Sequence, residues 1–318
     1  MTSSATTPTS GNKLLSEPIV FFGSGPVAAE SLRLLAQWAT IEAVITKPQP
    51  SHHREAFPVL MLARELGLQA FTPDNKTELS QLFTSKPVTS RIGVVIDYGF
   101  IINQDVIDSF PLGIVNSHFS LLPQWRGADP ITFSILSGQR QTGISLMLIV
   151  EKMDEGPLLA QTPYELTDEI TAPQLTADLI ELSDKTLQSI LPLYLSGAAT
   201  PAPQENVTIA ANSEASYSRK LTKEDGLLKW NKPAAQLERE VRAFLEWPKS
   251  RTIVNGKDVV VTRTHVMDGI GKPGEVWKDG KSFGFYTTDG IFVIDSLKPA
   301  GKSEMSAAAF LNGYGKNL

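Results

Sequence analysis

The sequence predicts an α/β domain with a doubly wound parallel sheet, followed by a small β-barrel domain. Up to about residue 195, apolar runs of strand length alternate with segments of helical period, which is the order of elements in a parallel sheet. From residue 251 onward, short apolar runs are separated by glycine turns, a pattern typical of a small barrel. The length of 318 residues, with 42% hydrophobic side chains, suits two domains with cores of ordinary size.

The first predicted elements are a strand at residues 18–22, a glycine turn and a helix from Ala28 to Leu35. The spacing in the turn, G-x-G-x-x-A, is also that of a dinucleotide-binding loop. Such a loop needs an acidic residue at the end of the second strand, where it holds the ribose. The second predicted strand, residues 41–46, ends instead in Lys47-Pro48. We therefore interpret the glycines as a tight strand-to-helix turn.

The remaining elements follow from apolar periodicity and turn residues. Strands are predicted at residues 69–72, 92–96, 142–150 and 158–164, and helices at residues 58–66, 76–84, 129–136 and 172–195. In the second half we predict a helix at residues 236–244 and strands at residues 251–254, 259–264, 274–277, 282–287 and 290–297. Asn255-Gly256 and Asp279-Gly280 are expected to form hairpin turns.

Composition divides the chain into four predicted segments. These are a disordered Ser/Thr-rich tail at residues 1–16, a first domain at residues 17–196, an Ala/Pro-rich linker at residues 197–212 and a second domain at residues 213–318. The tail lacks the apolar stretch of a secretory signal, and no apolar run approaches the ~18 residues of a membrane span. We expect a cytoplasmic protein with no membrane partner.

Charge and cysteine content restrict the function further. The absence of cysteine excludes disulfides, thiolate zinc sites and a cysteine nucleophile. Residues 1–212 hold 12 basic and 21 acidic residues, a net charge of −9, whereas residues 213–318 hold 17 and 13, a net charge of +4. A basic half joined to an acidic one indicates an anionic partner such as nucleic acid, although chance surface charge would give the same excess.

The densest group of reactive side chains lies between Leu112 and Pro130. The apolar run 113–115 predicts a strand that ends in polar residues, among them Asn116 and His118. Successive side chains of a strand point to opposite faces, so this amide and this imidazole project to the same side. Ligands bind at such strand ends in open α/β sheets. The alternative is a strand-to-loop junction with a polar cap and a buried histidine.

Two loops need separate interpretation. The acidic turn at residues 151–156 contains Asp154 and joins two predicted strands; from the residues alone it is equally a solvated turn or a source of a functional carboxylate. The loop at residues 47–57 contains His52, His53 and Arg54. Neighbouring histidines rarely face one ion and no acidic cluster accompanies them, so we predict no metal site.

Two motifs together resemble the signature of the folate-dependent formyltransferases. The first is Asn-x-His-x-Ser-Leu-Leu-Pro-x-x-Arg-Gly, from Asn116 to Gly127, and the second is Met153-Asp154-Glu155-Gly156. The match can be followed from Ile19 to about Phe310. Within the superfamily, the chain is most similar to the members that formylate methionyl-tRNA.

The resemblance implies a Rossmann-like formyltransferase domain followed by an OB-like barrel. It implies an enzyme, expected to be a monomer, that transfers the formyl group of 10-formyltetrahydrofolate to the amino group of charged initiator tRNA, without a metal. In this reading Asn116, His118 and Asp154 are catalytic. The amide and the protonated imidazole would stabilise the oxyanion of the tetrahedral intermediate, and the carboxylate would relay protons.

The resemblance also implies binding residues. The loop after the predicted strand 92–96 would line the folate pocket through its backbone, and an apolar stretch after His118 would hold the pterin or its linker. The implied folate residues are Ile96, Tyr98, Gly99, Ser120, Leu121, Leu122 and Pro123. Arg126 would orient the folate tail or a tRNA phosphate. Arg54, Lys249 and Lys298 are further candidate tRNA contacts.

Two departures from the family pattern and three alternative functions accompany this reading. The loop at residues 47–57 is shorter than in the family and lacks its arginine-glycine pattern, and Asp97 stands where the family commonly has a small residue. The alternatives are a formyltransferase acting on 4-amino sugar nucleotides, a formyltetrahydrofolate hydrolase, and a tRNA- or folate-binding protein whose catalysis has decayed.

Overall fold

The computed structural model describes residues 13–15, 17–49, 57–207 and 214–315. The chain forms two compact units, and both are discontinuous in sequence. The first comprises Met1–Pro123, Gly143–Pro163 and Leu179–Glu214, and the second comprises Gln124–Thr142, Tyr164–Asp178 and Ala215–Leu318. Two excursions of the chain, residues 124–142 and 164–178, thus belong to the second unit. The domain bounds proposed above, with a linker at residues 197–212, stay a prediction.

The elements up to residue 207 follow the predicted order closely. They are β1 (Pro18–Phe22), α1 (Pro26–Trp38), β2 (Thr40–Ile45), α2 (Pro58–Glu65), β3 (Ala70–Phe71), α3 (Lys76–Ser85), β4 (Gly93–Val95), α4 (Gln104–Asp108), β5 (Ile114–His118), β6 (Arg126–Gly127), α5 (Pro130–Ser137), β7 (Gln141–Leu148), β8 (Leu158–Glu165), α6 (Ala172–Leu195) and α7 (Gln204–Val207).

The remaining elements are mostly strands. They are β9 (Tyr217–Ser218), a 3-10 helix (Lys223–Gly226), α8 (Ala234–Ala243), β10 (Arg251–Val254), β11 (Lys257–Met267), β12 (Val276–Asp279), β13 (Ser282–Tyr286), β14 (Ile291–Pro299), β15 (Met305–Ser306) and α9 (Ala307–Tyr314).

A seven-stranded sheet with the order β3-β2-β1-β4-β5-β7-β8 confirms the predicted α/β architecture. Strands β1 to β5 are mutually parallel, whereas β7 runs antiparallel to β5. Strands β7 and β8 are joined by the short acidic turn, which can connect only antiparallel strands, so the sheet is mixed at this edge rather than wholly parallel. The core of the first unit includes a cluster of aromatic rings, in which Phe22 contacts Phe83, Tyr98 and Phe110.

The glycine turn after β1 is held by the neighbouring strand ends. The amide of Gly23 donates to Ile45, the amide of Ser24 donates to Asp97, and the Ser24 hydroxyl donates to the carbonyl of Tyr98. The carboxylate of Asp97 occupies the space in which a Cβ on Gly25 would stand, at the N-terminus of α1. A phosphate bound at this helix end would meet that negative charge, which agrees with the prediction of a packing turn rather than a dinucleotide site.

The second unit contains an antiparallel sheet with the order β10-β11-β14-β13-β12, in which β15 also pairs with β14. The turn between β10 and β11 has positive φ at both Asn255 (47°) and Gly256 (72°), as the predicted hairpin turn requires. The core includes Phe283 stacked on Phe310 and Trp230 stacked on Phe285. This curled antiparallel sheet confirms the prediction of a small β-barrel domain in the second half of the chain.

An acidic side chain organises the start of the second unit's continuous segment. Asp225 accepts hydrogen bonds from both terminal nitrogens of Arg219 and from the amide and hydroxyl of Thr222. The guanidinium of Arg219, together with the bonds from Thr222, holds the pKa of Asp225 well below its usual value of 3.8. The carboxylate therefore stabilises the fold above pH 3.8, and this contribution is lost as the pH falls toward the lowered pKa.

We expect Asp225→Asn to lower the free energy of unfolding at pH 7 by about 0.5–1 kcal/mol, the lower part of the range for a helix cap, because its partner Arg219 is exposed to solvent. Thermal melts of wild type and variant between pH 7 and pH 2 check this. The difference between the two midpoints should narrow once the pH falls below 3.8. A difference that is constant with pH would show that the charge of Asp225 contributes nothing.

Within the described residues, no helix is both long enough and apolar enough to cross a membrane.

Candidate functional site

The carboxyl end of β5 presents the amide and the imidazole predicted from the sequence. Asn116 is half-buried between β4 and β7, where it pairs with Val95 and with Met147. His118, at the last position of the strand, is only 6% exposed. The intervening Ser117 points the other way, and its hydroxyl lies 2.7 Å from that of Ser183 on α6. Strand alternation therefore places Asn116 and His118 on the same face, and the serine pair fixes the strand against its covering helix.

The acidic turn brings Asp154 to this strand end. The Asp154 Oδ2 atom lies 3.9 Å from His118 Nδ1, and the aspartate side chain is only 10% exposed. This separation is longer than a direct hydrogen bond. Distances between catalytic groups are often long in the absence of substrate and commonly shorten when it binds. A carboxylate, an imidazole and an amide at one strand end can together move a proton and stabilise a developing negative charge.

The backbone of the acidic turn is closely constrained. Asp154 has a φ of 54°, in the left-handed region that a residue other than glycine adopts at a cost of about 1–3 kcal/mol. Gly156 packs so closely that a Cβ there would overlap the carbonyl oxygen of Leu148. The side chain of Gln204 donates to the carbonyl oxygens of Asp154 (2.7 Å) and Gly156 (3.0 Å). The conformation that presents Asp154 is thus held by a residue outside the turn.

The loop that follows His118 is held by side chains of β7 and β8. The Ser145 hydroxyl donates to the carbonyl of Ser120 and accepts from the amide of Leu122. The Gln161 amide nitrogen lies 2.9 Å from the carbonyl oxygen of Leu122 and 3.0 Å from the Ser145 hydroxyl. These bonds satisfy the backbone groups of a buried loop and fix its path.

The predicted folate residues of the first unit occupy two strand ends. The side chains of Ser120, Leu121 and Leu122 are buried, and Pro123 is half-buried. At the end of β4, Ile96 and Tyr98 are also buried, whereas Gly99 is exposed with a φ of 71°. Because most of these side chains are buried, these positions would contact a ligand mainly through their backbone groups.

Three candidate anion-binding residues belong to the second unit, whereas Asn116, His118 and Asp154 belong to the first. Arg126 lies in β6, which pairs with β9 in the second unit. Lys249 and Lys298 are exposed in the second unit, Lys249 before β10 and Lys298 on β14. Arg54 lies outside the described residues, as do His52 and His53.

The sequence did not indicate a role for three residues that support the site, namely Ser145, Gln161 and Gln204. Each acts on backbone groups of a segment far away in sequence, and Gln204 lies within the Ala/Pro-rich stretch predicted to be a linker. In the structure this stretch forms a bridge between Ala202 and Leu158 and begins α7 at Gln204. No local pattern marks such contacts, because they depend on the tertiary path of the chain.

No group of three or more His, Asp or Glu side chains in the described ranges is placed to hold a metal ion. The prediction that the protein needs no metal stays a prediction.

Comparisons with known proteins match nearly the whole chain. The model of the family described as formyl transferase matches residues 20–191, and that described as formyl transferase, C-terminal domain, matches residues 220–315. The methionyl-tRNA formyltransferase of Roseiflexus castenholzii is 34% identical over 304 residues, which cover 93% of this chain and 95% of the relative. That of Myxococcus xanthus is 35% identical over 303 residues, with the same coverage of each chain.

A solved structure has the same fold at lower sequence identity. The N-formyltransferase from Helicobacter canadensis, in complex with folinic acid and dTDP-3-aminofucose, is 16% identical and has a TM-score of 0.63. The similarity covers 88% of this chain and 98% of the other. With both family models matched along one chain, this protein belongs to the formyl transferase family.

Proposed function

We propose that this protein transfers the formyl group of 10-formyltetrahydrofolate to the α-amino group of methionyl-tRNA. The observation that supports it most is the placement of Asp154 3.9 Å from His118, on the strand that also carries Asn116. A decayed binding protein would have no need of a buried carboxylate beside a buried imidazole, since burying such groups is costly. The acceptor is taken from relatives that match along 93% of the chain.

In the proposed reaction, the amine nitrogen attacks the formyl carbon and a tetrahedral intermediate with an oxyanion forms. The Asn116 side chain donates an N–H to this oxygen, and the protonated imidazole of His118 donates a second hydrogen bond. Asp154 accepts the proton that the attacking amine loses, directly or through a water molecule. When the intermediate collapses, the bond to N10 breaks, and that nitrogen takes up the proton held by Asp154, which passes to it through His118 or a water molecule. No charge or atom is left over, and no metal is required.

The formyl donor is proposed to bind at the ends of β4 and β5. The backbone of Ile96, Tyr98 and Gly99 and the stretch from Ser120 to Pro123 supply the contacts, since most of these side chains are buried. The protein of Helicobacter canadensis that shares this fold was solved with folinic acid, a folate derivative. This supports a folate as the co-substrate, and the 10-formyl form is the one that delivers a formyl group.

The tRNA is proposed to bind basic surface of the second unit. Residues 219–229 and 246–251 hold six basic and three acidic residues and lie side by side, because Gly226 packs against Pro248 and Lys249. Four lysines there are exposed and form no ion pair within the described residues; they are Lys220, Lys223, Lys229 and Lys249. Trp247, in the same surface, is 55% exposed. Cations beside an exposed aromatic ring suit phosphates and unpaired bases.

Further contacts with anions are proposed at Arg126, Lys298 and Arg54. Arg126 would orient the folate tail or a tRNA phosphate, and Lys298 would extend the basic surface onto β14. We also propose that the protein works as a monomer in the cytoplasm.

A comparison of acceptors tests the proposal. Labelled 10-formyltetrahydrofolate is offered with methionyl initiator tRNA or with a 4-amino sugar nucleotide, and kcat/KM is measured for each. We expect kcat/KM to be at least about 100-fold higher for methionyl-tRNA, because a site shaped for one amine loses many contacts with another. A higher value for the sugar nucleotide would replace the proposed acceptor.

A further inference from the structure

One buried side chain connects the acidic turn to a segment 50 residues further along the chain. Gln204 is only 6% exposed, and its amide nitrogen lies 2.7 Å from the carbonyl oxygen of Asp154 and 3.0 Å from that of Gly156. The primary amide has two N–H donors, and these bonds use both of them on the two ends of one three-residue segment. Gln204 therefore holds the backbone of the acidic turn on both sides of Glu155.

The segment that carries Gln204 is itself attached to the hairpin next to the site. Ala202 and Leu158 exchange two backbone hydrogen bonds, of 2.8 and 2.9 Å, at the start of β8. The amide of Leu148, at the end of β7, donates to Pro157 across the same turn. Gln204 is therefore positioned by backbone pairing and by the first turn of α7, so its reach to the acidic turn is set by the fold.

The acidic turn needs such support because its backbone is strained where the carboxylate projects. Asp154 has a φ of 54°, in the left-handed region, and this conformation directs its side chain to His118. If the bonds from Gln204 were lost, Asp154 could relax toward the commoner negative φ values, which would turn the carboxylate away. Close packing at Gly156 limits relaxation on one side of the turn only.

We propose that Gln204 is a positioning residue, which acts through Asp154 by holding the acidic turn in the conformation that keeps this carboxylate beside His118. The inference rests on the proposed function, because it assigns Asp154 a role in formyl transfer. Gln204 touches the backbone of the turn rather than the reacting atoms. Its effect should therefore be on the chemical step and not on the binding of the formyl donor or of tRNA.

Two substitutions of similar size remove the donors. Gln204→Met replaces the amide by an apolar group, and in Gln204→Glu the carboxylate can only accept hydrogen bonds. We expect both variants to lower kcat by about 10- to 100-fold, the range for a displacement of a catalytic group by about 1 Å, with KM for both substrates within about twofold of wild type. Gln188→Met is the matched control, since that amide bonds to Asp184 instead.

A double-mutant cycle separates positioning from a general effect on folding. In an Asp154→Asn background, adding Gln204→Met should leave the residual kcat unchanged, because the group that it positions is already absent. If Gln204→Met lowers kcat by the same factor in both backgrounds, or raises KM while kcat stays constant, the proposal is wrong. If Gln204→Met and Gln204→Glu do not fold, Gln204→Asn replaces them. Its shorter side chain keeps both N–H donors but sets them back from the two carbonyl oxygens, so it should show the same loss of kcat.

The same assays distinguish this inference from the proposed function. A wild-type protein that formylates methionyl-tRNA, together with a Gln204→Met variant of unchanged kcat, would overturn the role of Gln204 alone. A wild-type protein that formylates no tRNA would overturn the proposed function.

Discussion

Alanine at Asn116, His118 or Asp154 is expected to lower kcat for formyl transfer by about 100- to 1,000-fold, the loss measured when one oxyanion donor is removed from other enzymes. The three side chains lie at one strand end, and the proposed reaction gives each a different task in the same step. Because they act as a unit, the losses should be far from additive, and the triple variant should be little worse than the poorest single variant. Single-turnover kinetics with saturating donor and methionyl-tRNA measure these values.

The control for this series is Glu151→Ala, which removes an exposed carboxylate from the same turn. It should keep wild-type kcat, and the thermal midpoints of all variants should stay close to that of wild type. If Asp154→Ala keeps near-wild-type turnover, the acidic turn is a solvated connection between β7 and β8, and the proposed proton relay is wrong.

Binding of methionyl-tRNA is expected to weaken strongly with salt, because each phosphate neutralised by a lysine or arginine releases counterions. Changing Lys220, Lys223, Lys229 and Lys249 together to Gln should lower the slope of log K against log salt by about one unit for each lysine that contacts a phosphate. KM for tRNA should rise, whereas KM for the formyl donor should not change. Affinity measurements between low and physiological salt test this.

Single charge reversals inside and outside the proposed tRNA surface give a sharper comparison. Lys249→Glu should reduce the salt slope, and so should Lys298→Glu if the basic surface extends onto β14. Lys281→Glu is the matched control: this exposed lysine lies in the turn between β12 and β13, at the edge of the sheet opposite β10. An affinity for charged tRNA that does not vary with salt would contradict the assignment and would make a small amine the better acceptor.

Local patterns were sufficient for the elements that position the site. The alternation of strand residues places Asn116 and His118 on one face, and the bounds predicted for the long helix, residues 172–195, are those of α6. The Asn255-Gly256 hairpin followed from turn chemistry alone. These features depend on residues that are neighbours in sequence, so periodicity and turn preferences determine them.

Features that depend on distant contacts were not predictable in this way. The antiparallel pairing of β7 with β5 depends on where the hairpin of β7 and β8 packs against the sheet. The residues of the acidic turn fitted a solvated turn and a functional carboxylate equally well. Gln204 is a further case, because nothing in an Ala/Pro-rich stretch indicates that its amide meets Asp154. The final α9 was also missed, and so was the short α4, whose five residues are too few to show periodicity.

The stoichiometry of a single reaction tests the central proposal most directly. Wild-type protein is mixed with 10-formyltetrahydrofolate and methionyl initiator tRNA, and both the donor consumed and the formylmethionine released from the tRNA are quantified by mass spectrometry. Transfer predicts one formylmethionine for each donor consumed, and little donor consumption when uncharged tRNA replaces methionyl-tRNA. Donor consumed at the same rate without methionyl-tRNA would indicate a hydrolase, and no consumption in either mixture would indicate a binding protein.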